Sequence, residues 1–119
     1  MEKFDANIPI YIQVVDIIKR EIVNGKLKPG DKILSVREMS IKFGVNPNTI
    51  QKALFQLERE GFIRTERAVG KYVSDNEELI EVYKKEYIHT IVLQFVQQME
   101  SMGIDRKDII KYLEEENHG

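Results

Sequence analysis

Residues 46–52 read Asn-Pro-Asn-Thr-Ile-Gln-Lys, a run whose side chains suit the edges of nucleic-acid bases. The carboxamides of Asn46, Asn48 and Gln51 can each pair bidentately with adenine. Thr49 can meet a thymine methyl or a phosphate, and Lys52 can reach guanine or phosphate. Upstream, Ser35 offers a hydroxyl and Arg37 a guanidinium to phosphate or to a base at the groove edge. Downstream, Arg64, Arg67 and Lys71, with Gly70 among them, form a second cationic group that could meet phosphates or the minor groove. Each residue has a plainer reading. Asn46 would be only a helix cap, Asn48, Thr49 and Gln51 solvated helix positions, and Arg37 the ion-pair partner of Glu38. The later cations would merely guard a strand edge. The aromatics Phe43, Phe55, Phe62 and Tyr72 are expected in the core rather than as stacking platforms.

Bond-making chemistry finds little support. The chain has no cysteine and two histidines, one of them, His118, in the tail. No metal-ligand cluster is visible, and Gly25 and Gly30 flank a turn rather than cradle a phosphate. An enzyme, a metal site and a cofactor are therefore not expected.

The elements that must hold these side chains are readable from caps and periodicity. Pro9 suits the first position of a helix over 9–24, with Ile10, Val14, Ile17, Ile18 and Ile22 on one face and Gly25 as the stop. Pro29-Gly30 predicts a turn in 26–31. Ser35-Val36-Arg37-Glu38 is a capping box opening a short helix that buries Met39 and Phe43 and ends at Gly44. Asn46-Pro47 starts a second helix, to Glu60, that buries Ile50, Ala53, Leu54 and Leu57. Its free N-terminal amides form an anion site. Two short helices joined by so tight a link predict a helix-turn-helix. Residues 62–66 and 70–73 then suit two strands of a hairpin, which in this place is a wing.

Ser74-Asp75-Asn76-Glu77 reads as another capping box, launching a long helix to Met102 whose stripe includes Tyr83, Tyr87, Ile88, Ile91, Val92, Phe95 and Met99. Gly103 stops it, and Asp105 caps a last helix with Ile109, Ile110 and Leu113 on its apolar face. Residues 114–119 are expected to fray. The fold class is thus mainly α with a small hairpin: a winged helix-turn-helix unit over 1–74 and a two-helix segment over 75–119.

Charge follows the same division. The 119 residues carry a net charge of −2, yet 1–74 hold thirteen Lys/Arg against nine Asp/Glu, and 75–119 hold five against eleven. A basic head beside an acidic appendage fits a polyanion-facing part joined to a solvated or partner-facing one. The longest uncharged apolar run, 87–98, is shorter than the ~20 residues a membrane span requires. The start, Met1-Glu2-Lys3-Phe4-Asp5, lacks the basic and apolar regions of a signal peptide. The cytoplasm is the expected location, with no membrane partner.

These residues bring the chain close to a known family. Pro9-Ile10-Tyr11 with Gln13, Gly25-Lys26-Leu27-Lys28-Pro29-Gly30-Asp31, Ser35-Val36-Arg37-Glu38-Met39, residues 44–54 and Leu57-Glu58-Arg59-Glu60-Gly61-Phe62-Ile63 resemble, in order and spacing, the GntR family of bacterial transcription regulators. The Asn-Pro-Asn-Thr helix start and the short C-terminal part resemble its YtrA-type subfamily. Two departures stand out: Ile33-Leu34 replaces the usual Leu-Pro, and Ala68 stands where the wing tip usually has glycine. The resemblance implies a sequence-specific reader of double-stranded DNA, with Arg37 among its contacts, acting as a repressor on a palindromic operator of, for example, a transporter operon.

One such head makes few contacts, and pairing reads two half-sites. The long helix supplies the means, so a homodimer through its stripe is expected, with Ile109, Ile110 and Leu113 folding back over the remainder. The contrary reading is that the stripe packs on its own head. An unidentified small effector near Tyr83, Tyr87 and His89 would change head spacing. The alternative from another class is a winged-helix protein-interaction module that dimerises without binding DNA.

Overall fold

The computed structural model describes residues 4–116. Its elements run α1 (Ile10–Val23), α2 (Val36–Phe43), α3 (Pro47–Arg59), β1 (Ile63–Glu66), β2 (Gly70–Val73), α4 (Glu77–Ser101) and α5 (Arg106–Glu116). This is the mainly helical fold with one hairpin that the caps and periodicity predict. Compactness divides the chain between Val82 and Tyr83, inside α4. The first turns of α4 belong to the head, where Leu79 reaches to within 3.2 Å of where a Cβ on Gly61 would stand.

Pro9 lies just outside α1 rather than at its first position. It is the cap, and its carbonyl accepts from the N–H groups of Ile12 and Gln13. Gln13 ties the entry down, its Nε2 donating to the carbonyls of Asp5 and Ile8 at 2.7 and 2.8 Å. Val14, Ile17, Ile18 and Ile22 are buried as their spacing predicts, with Val15 beside them, but Ile10 is exposed. It occupies the free end of the helix, one turn before the first buried side chain. Lys19 is buried as well, its Nζ 2.9 Å from Glu60 Oε1 and 4.8 Å over the Phe62 ring.

The capping box of α2 forms in both directions. Ser35 Oγ accepts from Glu38 N–H at 3.1 Å, and Glu38 Oε1 accepts from Ser35 N–H at 3.0 Å. Gly44 ends the helix at φ 66°, a left-handed turn that favours glycine. The Ser40 hydroxyl then donates to the Val45 carbonyl at 2.6 Å and fixes the link. Asn46 caps α3 with Pro47 at its first position. Met39 and Phe43 from α2 and Ile50, Ala53, Leu54 and Leu57 from α3 are all buried, and α3 packs against both α1 and α2.

β1 and β2 pair antiparallel, Ile63 opposite Val73 and Glu66 opposite Gly70. A third stretch, unforeseen in the sequence, runs along β2. Ile33 N–H donates to Lys71 O at 3.0 Å, Val73 N–H to Asp31 O at 2.8 Å, and Gly30 N–H to Val73 O at 2.9 Å. The turn over 26–31 thus delivers a short strand-like edge to the wing.

The expected box at Ser74 is replaced by a different cap. Asn76 Oδ1 accepts from Leu79 N–H at 3.1 Å, while Ser74 Oγ accepts from Asn76 N–H at 3.0 Å. Asn76 directly precedes the helix and takes the role that asparagine fills well. No residue of α4 is buried. Asp105 caps α5 through Asp108 N–H at 3.0 Å. Of its expected apolar face only Ile109 is covered, Ile110 and Leu113 being exposed: the face is wider than one chain covers. Residues 114–116, expected to fray, continue α5. The rest of that tail (117–119) and the first three residues of the start read for a leader lie outside the described residues. No helix of the described residues is long and apolar enough to cross a membrane.

Candidate nucleic-acid interface

The buried side of α3 dictates what its other side presents. Ile50, Ala53, Leu54 and Leu57 face inward, so helical geometry sends Asn48, Gln51 and Lys52 outward, and all three are exposed while Thr49 is half-buried. Asn46 spends its Oδ1 on the N–H of Asn48 at 2.8 Å. The free amides expected at this end are therefore not free. Pro47 has no N–H, that of Asn48 meets the cap, and that of Thr49 meets the Asn46 carbonyl at 2.9 Å. What α3 offers a ligand at this end is thus its side chains.

Arg37 stands in the first turn of α2, exposed and without an ion pair among the described residues. Its alternative partner, Glu38, is committed elsewhere. The backbone and hydroxyl hydrogen bonds of Ser35 hold the Glu38 carboxyl below its ordinary range. Ser35 Oγ serves as the cap acceptor, and its hydroxyl faces the Glu38 carboxyl. Ser35 and Lys71, with Lys32, Glu38 and Val69, line one groove of about 300 Å³ between the start of α2 and the wing.

Three of the expected cations are engaged. Lys52 Nζ rests 4.1 Å over the Tyr11 ring of α1. Arg64 pairs with Glu66, lies 3.9 Å from Asp75 and stacks 5.0 Å over Tyr72. Lys71 Nζ bonds Glu58 Oε2 at 3.0 Å and Thr65 Oγ1 at 2.7 Å, and Thr65 Oγ1 donates to the same Glu58 oxygen at 2.8 Å. Lys71, Thr65 and Glu58 thus form a clip joining both wing strands to α3, which the residue types alone did not disclose. Arg67 is exposed at the tip. Ala68 beside it holds φ 62°, a left-handed conformation costing a non-glycine residue about 1–2 kcal/mol. Gly70, at φ 148°, lets Lys32 lie close: a Cβ there would stand 2.9 Å from Lys32 Cε.

Glu58 titrates with this clip. Its carboxyl is held below the ordinary value of 4.5, first by the Lys71 hydrogen bond and then by that of Thr65. A carboxyl lowered in the folded state stabilises it above the unfolded value, and the contribution is lost as pH falls through the lowered one. Thermal unfolding followed by circular dichroism is expected to shift to lower temperature on acidification below about pH 4.5. Glu58→Gln should shrink that shift, and an unchanged shift would show that the clip carries none of it.

One feature escaped the reading of residue types. Phe55, expected in the core, is 65% exposed; its place one turn beyond Gln51, opposite Leu54 and Leu57, was the signal. On α4, Ile88, Ile91, Val92 and Phe95, all members of the expected stripe, are exposed. Tyr83 and Tyr87 stack with ring centroids 5.9 Å apart, and His89 is exposed.

Known proteins share this arrangement. The bacterial regulatory proteins of the gntR family match residues 10–73. The uncharacterized HTH-type transcriptional regulator YhcF of Bacillus subtilis is 36% identical over 92% of this chain and 90% of its own. The transcriptional repressor YtrA of the same organism is 46% identical, over 60% of this chain and 55% of its own. A GntR family transcriptional regulator from Listeria monocytogenes superposes with a TM-score of 0.85 at 39% identity, covering 94% of this chain and 98% of that one. The DNA-binding domain of AraR, solved in complex with operator ORR3, superposes with a TM-score of 0.55 at 32% identity, covering 62% of this chain and 87% of that one. A family match over more than half the chain, joined to a full-length relative and a winged helix with its C-terminal helices, leaves one assignment: the chain belongs to the GntR family of bacterial regulatory proteins and is of the YtrA type.

Proposed function

We propose that this protein is a sequence-specific regulator of transcription that binds double-stranded DNA as a homodimer and represses from a palindromic operator. Residues 1–74 read DNA and residues 75–119 join the two copies. Asn48, Thr49 and Gln51 meet base edges, and Arg37, Arg67 and Ser35 meet backbone or groove edge. Asn46 and Gly70 shape the reading elements, while Lys52 and Lys71 contribute charge from their perches on Tyr11 and Glu58. The observation that carries the reading is the exposed polar face of α3 next to an unpaired arginine at the start of α2. The related AraR domain was solved on its operator, and the relative YtrA is a repressor, which supports both the DNA and the direction of control. The family resemblance makes a transporter operon the first promoter to try, and the cytoplasm is where such a protein would work.

Fluorescence anisotropy of the full chain on duplex from its own promoter region, titrated across salt, tests this. A protein with six to ten phosphate contacts loses roughly 10³–10⁵ in affinity between about 50 and 200 mM salt. A loss of that order is expected. Flat salt dependence, or no binding to the promoter duplex, would favour an interaction module that dimerises without DNA.

A further inference from the structure

Phe55 is the apolar exception on α3. It is 65% exposed, although Leu54 and Leu57 beside it are 2% and 0% exposed. It follows Gln51 by four residues and Asn48 by seven, and these spacings put the three side chains on one face. Nothing in the sequence required a phenyl ring there, and no element of the head covers it.

Duplex DNA offers such a ring a definite partner. The C5-methyl of thymine is the apolar group that a base pair presents in the major groove. It sits at the outer side of the pyrimidine, toward the groove wall, with the hydrogen-bonding atoms nearer the middle. Phe55 lies about 10 Å further along the helix axis than Asn48 at 1.5 Å per residue. A helix entering by its N-terminus therefore holds its carboxamides over the middle of the groove and Phe55 against the wall. We infer that Phe55 is a specificity-determining residue that reads a thymine methyl in each half-site. The inference rests on the proposed reading of DNA by α3. The competing source of methyl recognition is the Thr49 side chain, which occupies the start of the same helix.

The test uses the full chain and duplexes that it selects from a random-sequence pool. Each thymine of the selected half-site is replaced in turn by deoxyuridine, which removes the methyl and nothing else. Wild type, Phe55→Ala and Thr49→Ser are titrated on every duplex by anisotropy. One thymine per half-site is expected at which wild type loses about fourfold, the worth of one methyl-sized group. Phe55→Ala should bind the thymine and uracil duplexes equally, and Thr49→Ser should retain the wild-type difference. Since Phe55 is exposed, its variant is expected to melt like wild type. Indifference of wild type to every uracil would overturn the inference while leaving DNA reading intact. So would a difference that survives Phe55→Ala or disappears in Thr49→Ser. Recovery of no preferred duplex would overturn the proposed function and this inference together.

Discussion

Replacing Ile91 and Phe95 together by glutamate is expected to yield a monomer of 13.9 kDa in light scattering and to weaken operator binding by roughly a hundredfold or more. The reason lies in what α4 leaves uncovered. None of its residues is buried, and Ile88, Ile91, Val92 and Phe95 are 38–51% exposed. Their spacing of three and four residues makes a continuous apolar strip that one chain does not satisfy. Covering each such side chain contributes about 1.5–3 kcal/mol before ordering and association costs are subtracted. Two carboxylates placed there would lose their hydration without gaining partners. The head keeps its own core, so its folding should persist while assembly fails. DNA affinity falls because the second half-site is then met by a separate molecule rather than by one already tethered. Intact dimers would move the interface to the other side of α4, where Val82 and Leu93 are exposed as well.

What the sequence disclosed, and what it hid, follow from the range of the interactions involved. The box at Ser35, the cap at Asn46 and the left-handed stop at Gly44 are settled within a few residues, and residue types suffice to read them. The cap of α4 shows the limit of that logic. The residue types point to Ser74, yet Asn76, directly before the helix, takes the cap. The perches of Lys52 on Tyr11 and of Lys71 on Glu58 join residues 41 and 13 positions apart, so no local pattern announces them. These perches separate the cations: Arg37 and Arg67 stand open, whereas Lys52, Arg64 and Lys71 already have partners. Phe55 was misplaced for another reason. Its residue type argued for the core, while its position in the helical repeat argued for the surface, and the repeat prevailed because Ile50, Leu54 and Leu57 had already filled the inner face. Ile110 and Leu113 lie beside Ile109 in the sequence pattern of an apolar face, yet only Ile109 is buried.

Arg37→Ala is expected to cost about 1–3 kcal/mol of operator affinity in each half-site while leaving the melting temperature unchanged or slightly higher. A cation in the first turn opposes the helix dipole, an arrangement worth a few tenths to about 1 kcal/mol against the helix. Ordinarily a neighbouring acid would offset this, but Glu38 is turned back onto Ser35 N–H at 3.0 Å, and Arg37 has no ion pair among the described residues. Removing the guanidinium therefore breaks no ion pair among the described residues, which separates this variant from Lys71→Ala, where the clip to Glu58 is lost too. Anisotropy titrations at several salt concentrations, paired with thermal melts, read both quantities. A phosphate contact would lower the salt slope by about one per half-site and weaken all sequences alike; a base contact would leave the slope and relax one position of the operator. Wild-type affinity in the variant would take the start of α2 out of the interface, leaving the side chains of α3 and the tip of the wing to do all the reading.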